Sequence, residues 1–334
     1  IITRIKILSN LRTDEHQAAQ DGRFRVQVGD APIDVRVSIT PTYYGENAVL
    51  RLLAQQAEEF TLESLGFSEE NKAKIRDAVR KPHGMILATG PTGSGKTTTL
   101  YTLLKQLNTK TVSIITIEDP VEYAVEGVSQ IQINPRSGLT FGSGLRSILR
   151  QDPNIIMVGE IRDSETASIA VNTALTGHLI LSTLHTSDAA TTLPRLLDMG
   201  VDPYLVASTV NVAIGQRLVR RICGHCKEAY ALTPAQAESL ASQLFPGQLA
   251  DMPQFYRGRG CEECDGTGYS GRIGIHEVMV LGPEIREAIL KKVSAANLRE
   301  IAKKNGMTPL FADGFMKAEA GKTTIEEVLR TVRE

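Results

Sequence analysis

The chain has 334 residues, 42% of them hydrophobic and 22% charged, with 37 Lys and Arg against 38 Asp and Glu. That length and composition suit a well-cored, soluble chain of two or three domains. A net charge of −1 speaks against a nucleic-acid coat or a polybasic membrane binder, and no apolar run reaches the ~18 residues of a membrane-spanning helix.

Ile1 to Leu8 carries apolar residues at helical spacing with no cap before it, so the chain is expected to begin inside a helix, as a piece of a longer one. Residues 23–39 alternate: Phe24, Val26 and Val28, then Ile33, Val35, Val37 and Ile39 beyond Gly29-Asp30-Ala31-Pro32. This predicts a β-hairpin, with Val49–Leu53 as a further strand, in a small α+β domain over 1–54. The polar stretch Ala54–Glu59 suits a linker, drawn over 55–61. Ser68 followed by Glu69 and Glu70, with a basic end toward Lys81, predicts a capped helix. A strand over Met85–Thr89, a glycine-rich loop and a helix over Thr97–Leu107 follow. Val112–Ile117, Ile155–Val158 and Leu179–Ser182 are short apolar runs of the kind buried in parallel sheets. Strands alternating with helices predict an α/β domain over 62–220. Residues 221–274 lose that rhythm and contain every cysteine; beyond Gly282-Pro283 a helical tail is expected in 275–334, with Ile285, Ile289, Leu298, Ile301, Val328 and Leu329 in its core.

Gly90-Pro91-Thr92-Gly93-Ser94-Gly95-Lys96-Thr97 fits G-x-x-x-x-G-K-[ST] in full, between a strand and a helix, and Thr98 is counted with it as a nucleotide contact. Its glycines let N–H groups curl round a β-phosphate that the helix N-terminus also attracts; Lys96 would reach the β- and γ-phosphates and Thr97 would ligate Mg²⁺. Hydrolysis also needs acids to orient water and hold the metal. Two strand ends offer them, at Glu118-Asp119-Pro120-Val121-Glu122 and at Glu160. His178 and His185 bracket the Leu179–Ser182 strand and are placed beside the same sheet edge; an imidazole there could contact a γ-phosphate, or be structural. Arg36 and Arg51 in the small domain, and Arg146 and Arg150 one helical turn apart, are either arginine fingers or surface residues.

Cys223-x-x-Cys226 and Cys261-x-x-Cys264 have the spacing that chelates one tetrahedral ion, although 34 residues between the pairs is longer than usual. Two disulfides and C-x-x-C redox chemistry compete, and structural Zn²⁺ is favoured because a P-loop belongs in a reducing compartment. Arg217, Arg220, Arg221 and Lys227 surround the first pair, either as a partner-docking knuckle or as a solvated face.

GPTGSGKTTTLY, TIEDPVEY, LRSILRQDPNIIMVGEIRD, TGHLILSTLHTSDA and the paired C-x-x-C together closely resemble the type II secretion and type IV pilus assembly ATPases, with QDGRFR before them and GRIGIHEVM after. The resemblance covers essentially the whole chain. It implies a RecA-like ATPase domain with a PAS-like N-terminal domain, a Walker A loop at Gly90–Thr97 and a Walker B ending in Glu160. It further implies an aspartate box at Glu118–Glu122, a histidine box carrying His178 and His185, and functional Arg36, Arg51, Arg146 and Arg150. Family members are cytoplasmic hexamers beneath an inner-membrane platform protein, where Mg-ATP hydrolysis moves the domains and drives pilin or pseudopilin assembly. The tetracysteine element resembles the secretion and pilus-extension branches rather than the retraction motors. Asn154 departs from the Asp common in the family, and the N-terminal recruitment region is expected to be missing. Two other readings stay open. One is a nucleic-acid-translocating ATPase gripping DNA through a zinc ribbon, although 5% aromatics with no Trp leave few stacking platforms. The other is a nucleotide-dependent scaffold.

Overall fold

The computed structural model describes residues 1–29, 31–53, 60–231 and 254–333. Asp30 of the expected turn and the expected linker at 54–59 lie outside the described residues. The chain divides into two compact units, Ile1–Phe60 with Pro120–Glu126, and Thr61–Asp119 with Gly127–Glu334. Among the described residues no helix is long and apolar enough to cross a membrane.

The smaller unit opens with helix α1 (Ile2–Leu8) and continues as an antiparallel sheet of β1 (Gln20–Val28), β2 (Ala31–Thr42) and β3 (Gly45–Leu53) in that order. Alternation puts Val35, Val37 and Ile39 on one face, where Ile2, Ile5, Leu11 and Phe24 pack against them. Lys6 is fully buried there; its ammonium pairs with Glu46 at 2.5 Å and donates to the Glu15 carbonyl at 2.6 Å. Without those partners a buried ammonium would be prohibitively costly. Val121 and Val125, from the segment that returns to this unit, are buried as well.

The larger unit is a seven-stranded sheet in the order β12-β9-β4-β8-β7-β5-β6. Its strands are β4 (Gly84–Thr89), β5 (Ile114–Glu118), β6 (Ser129–Gln132), β7 (Ile155–Val158), β8 (Leu179–Leu184), β9 (Val210–Ile222) and β12 (Tyr269–Val280). All neighbours run parallel except β12, which is antiparallel to β9. The fully buried runs of β4, β5, β7 and β8 are flanked by α3 (Lys96–Leu107), α4 (Phe141–Ile148), α5 (Ser164–Leu175), α6 (Ala189–Asp198) and α7 (Pro203–Thr209), while α2 (Glu69–Val79) packs on β9 and β12. Ser68 caps α2, its hydroxyl accepting from Asn71 N–H at 3.2 Å, where the acidic first turn announced a helix start.

The α/β rhythm does not stop at 220. Strand β9 runs on to Ile222 and β12 begins at Tyr269, so the boundaries drawn at 220 and 274 each fall inside a strand of the main sheet. Between them the chain leaves the sheet and forms the short ladder of β10 (Lys227–Tyr230) and β11 (Phe255–Gly258). Helices α8 (Pro283–Leu290), α9 (Ala295–Lys304), α10 (Leu310–Glu319) and α11 (Ile325–Arg333) follow. Ile285, Ile289, Leu298 and Val328 are buried in them, with Ile301 and Leu329 partly so. Glu277 of β12 accepts from the Ala189 N–H at 2.7 Å, tying the start of α6 to the antiparallel edge.

Candidate nucleotide site and cysteine centre

The loop after β4 lies at the carboxyl edge of the parallel strands, where open α/β sheets bind ligands. Gly90, Gly93 and Gly95 have φ of +145°, +77° and +88°, the left-handed region that side chains disfavour. A Cβ on Gly90 would also stand 2.4 Å from the Gln216 carbonyl oxygen. Pro91, Thr92 and Gly93 are exposed and Ser94 is buried, with Thr97 and Thr98 half-buried in the first turn of α3. Lys96 folds back over the loop and donates to the carbonyls of Gly90 at 2.9 Å and Pro91 at 3.0 Å. Burial, aided by nearby Arg217, holds its ammonium below the ordinary lysine pKa, against the pull of Glu160.

Glu160 follows β7 at the same edge and is buried. Its Oε1 pairs with Arg162 at 2.5 Å, while Oε2 has His185 Nε2 at 3.1 Å without a hydrogen bond closing on it. Ser94 Oγ is likewise buried without a hydrogen-bond partner among the described residues. A glycine cradle that a Cβ would fill, an inward-bent ammonium and two orphaned buried oxygens fit a phosphate chain with its Mg²⁺. Strand β8 braces this acid: the Thr183 and Ser182 hydroxyls donate to the carbonyls of Gly159 and Val158, each at 2.8 Å.

The other expected residues divide. Glu118, at the end of β5, is 2% exposed and accepts from Tyr101, Thr116 and Gln130, so its carboxylate is already engaged. Glu122 is exposed and belongs to the smaller unit, so the aspartate box is split between the units. His178 is a correction. It precedes β8, beside Gly84 at the start of β4, and its Nδ1 lies 3.2 Å from the Thr173 carbonyl oxygen. The two histidines bracket β8 in sequence, but six residues of strand carry the chain ~20 Å, from one edge of the sheet to the other. Arg150 lies on the amino side of β7 and donates to the Arg146 carbonyl at 3.1 Å, while Arg146 pairs with Glu165 at 2.6 Å. Arg36 and Arg51 are exposed and directly opposite each other on β2 and β3.

Gln216 and Arg162 were not read from the sequence. Gln216 donates to the Ser94 carbonyl at 2.7 Å and accepts from the Thr99 hydroxyl at 2.9 Å, pinning the loop and the first turn of α3 to β9. The signal was weak, since Gln216 is one of three polar residues in Val210–Val219, beside Asn211 and Arg217.

The four cysteines converge, with Sγ atoms mutually within 4.8 Å and separations of 3.8 Å for Cys223–Cys261, 3.9 Å for Cys226–Cys264 and 3.6 Å for Cys261–Cys264. A tetrahedral ion with metal–sulfur bonds of ~2.3 Å has edges of ~3.8 Å, whereas a disulfide would need ~2.0 Å. The thiols are free, so the disulfide reading fails. Burial opposes ionisation of Cys264, yet the N–H groups of Cys261 and Gly268, each 3.2 Å from its sulfur, bring its pKa down to about 6. Burial and the neighbouring thiols push Cys261 up to about 12.

Sheet order, glycine loop and trailing acid define a P-loop nucleotide-binding α/β protein. The chain belongs to the Type II/IV secretion system protein family, which matches residues 1–330. It is 48% identical over 336 residues to the type II secretion system protein E of Xanthomonas campestris pv. campestris. It is 47% identical over 333 residues to the type IV pilus assembly ATPase PilB of Thermus thermophilus. Those alignments take in 100% and 99% of this chain but only 58% and 37% of the relatives. The solved structure of the pilus retraction motor PilT with bound ADP matches with a TM-score of 0.70 at 26% identity, over 94% of this chain and 77% of that one.

Proposed function

We propose that this chain is the motor portion of a hexameric ATPase that couples Mg-ATP hydrolysis to pilin or pseudopilin assembly, in type IV pilus extension or type II secretion. Its larger unit would be the RecA-like core and its smaller one the PAS-like partner. The observation that carries the reading is the orphaned, buried Glu160 Oε2 at the sheet edge that carries the Lys96 loop, in a chain of this family. Lys96, released from the Gly90 and Pro91 carbonyls, would neutralise the β- and γ-phosphates, and the loop N–H groups would orient them. Thr97 and Glu160 would hold Mg²⁺, which supplies charge neutralisation on the phosphates when bound. Glu122, exposed and unengaged by the described residues, suits the water-activating base better than Glu118, whose hydrogen bonds fix it in place. Arg36 and Arg51 would face developing phosphate charge. His178 and Arg150 stand toward the other strand edge, so a nucleotide role for them needs a neighbouring subunit.

The cysteine centre would hold one structural Zn²⁺, a closed site with no position for chemistry. Its presence supports the assembly or secretion branch. Membrane work at the cytoplasmic face would pass through a platform protein.

Lys96→Ala and Glu160→Gln are each expected to lower ATP turnover by about 10²-fold or more. Near-normal phosphate release from either purified variant would overturn the assignment. Gln substitutions at Glu118 and Glu122, compared in single-turnover hydrolysis, separate base from brace: Glu122→Gln should abolish the chemical step, and an unaffected rate would transfer that role elsewhere.

A further inference from the structure

The QDGRFR motif opens β1, and the nucleotide site leaves it unused. Its Arg23 lies directly opposite Arg36 on β2, which lies directly opposite Arg51 on β3. Residues in direct antiparallel register point to the same face, with Cβ atoms about 4.5–5.5 Å apart. The three arginines therefore form one row across the sheet, on the face away from the Val35, Val37 and Ile39 core. All three are exposed. Arg36 and Arg51 make no ion pair among the described residues, and Arg23 donates through one guanidinium nitrogen to the Val121 carbonyl at 3.3 Å. The two neighbouring rows in register, Asp21–Ser38–Val49 and Arg25–Asp34–Leu53, bring one acidic residue each, the second with an arginine of its own. Like charges in direct cross-strand register destabilise a sheet. Three planar guanidinium forks side by side are the donor set that recognises phosphoryl oxygens bidentately.

We propose that Arg23, Arg36 and Arg51 form a single phosphoryl-binding row, with Arg23 as its third arm. The two family arginines then act as part of a three-membered set. Assigning that phosphoryl group to the nucleotide rests on the motor reading; the row itself does not.

The test titrates the full chain carrying Lys96→Ala, which silences the P-loop, with inorganic tripolyphosphate by calorimetry. Adding Arg23→Gln is expected to weaken binding about tenfold, as is adding Arg36→Gln. The double substitution should cost clearly less than the product of the two, since both arms hold one anion. Arg23→Lys, which keeps the charge and a donor for Val121, should fold like the parent and bind only a few-fold more weakly. Tripolyphosphate binding unchanged by Arg23→Gln, with or without a lowered melting temperature, would leave Arg23 a clip for Val121 and overturn the proposal, as would no binding by the parent. With Lys96 intact, a fall in kcat/KM for ATP in Arg23→Gln assigns the phosphoryl group to the nucleotide. Unchanged ATP kinetics beside weakened tripolyphosphate binding assigns it to free phosphate. Failure of the motor reading is visible separately, as hydrolysis that survives Lys96→Ala alone.

Discussion

Gln216 is polar in the middle of a buried strand, and both ends of its amide are used on the phosphate loop. Replacing it by Leu leaves the Ser94 carbonyl and Thr99 hydroxyl buried without their partner, a loss of about 1–3 kcal/mol. Because the loop it braces is the proposed nucleotide cradle, Gln216→Leu is expected to weaken ATP binding roughly tenfold, measured by equilibrium titration. Parent-like affinity would mean the loop holds its shape unaided. At this scale the P-loop and Glu160 were legible because each is a motif whose chemistry dictates its residue types. Gln216 was not, since its meaning lies in which carbonyl stands opposite it, a matter of register between β4 and β9. His178 was misplaced for a related reason: sequence distance along a strand says how far apart two residues are, not which edge matters. Asn154 shows a departure without consequence for its local fold, since its Oδ1 accepts from the Ser113 N–H at 2.7 Å, a bond an Asp could also make.

Among elements, the parallel strands β4, β5, β7 and β8 were legible because burial on both faces leaves unbroken apolar runs. β9 and β12 were hidden because arginines and the cysteine segment interrupt their pattern. The cysteine centre holds β10 and β11 to the end of β9: Cys223 N–H bonds the Gly268 carbonyl and Arg259 N–H that of Cys226, each at 3.0 Å. Metal analysis is expected to find about one Zn²⁺ per chain, and its chelation should speed hydrogen exchange over residues 221–231 and 254–270 while leaving β4 protected. Equal exchange with and without chelator would remove the structural role. A second anchor lies at α11, where buried Glu327 binds the Arg220 and Arg330 guanidinium groups and the Arg220 N–H. Burial opposes its charge, but those donors bring its pKa down to about 2. A depressed carboxylate stabilises the fold fully above its unfolded pKa of ~4.3 and loses that contribution as pH falls toward about 2. Melting temperature should therefore drop through this acid window, and Glu327→Gln should lower it at neutral pH while flattening the acid-side slope.

For the whole molecule, Lys96 and Glu160 stand at one strand edge of the larger unit and His178 at the other. If subunits complete one another's sites, specific ATPase activity should rise with protein concentration in step with mass measured by light scattering. A rate per chain that is independent of dilution would make each chain self-sufficient. The sequence reading drew a small domain over 1–54 and placed Pro120–Glu126 in the larger one, because that segment has the texture of any loop after a strand.

That threading has a practical consequence. The backbone passes between the units three times, at residues 60/61, 119/120 and 126/127. The small unit is thus not a bead on a string. A polypeptide starting at Thr61 would carry the 120–126 segment without residues 1–60, the unit to which that segment belongs. Trimming or swapping the units as independent modules should yield sticky, poorly behaved proteins.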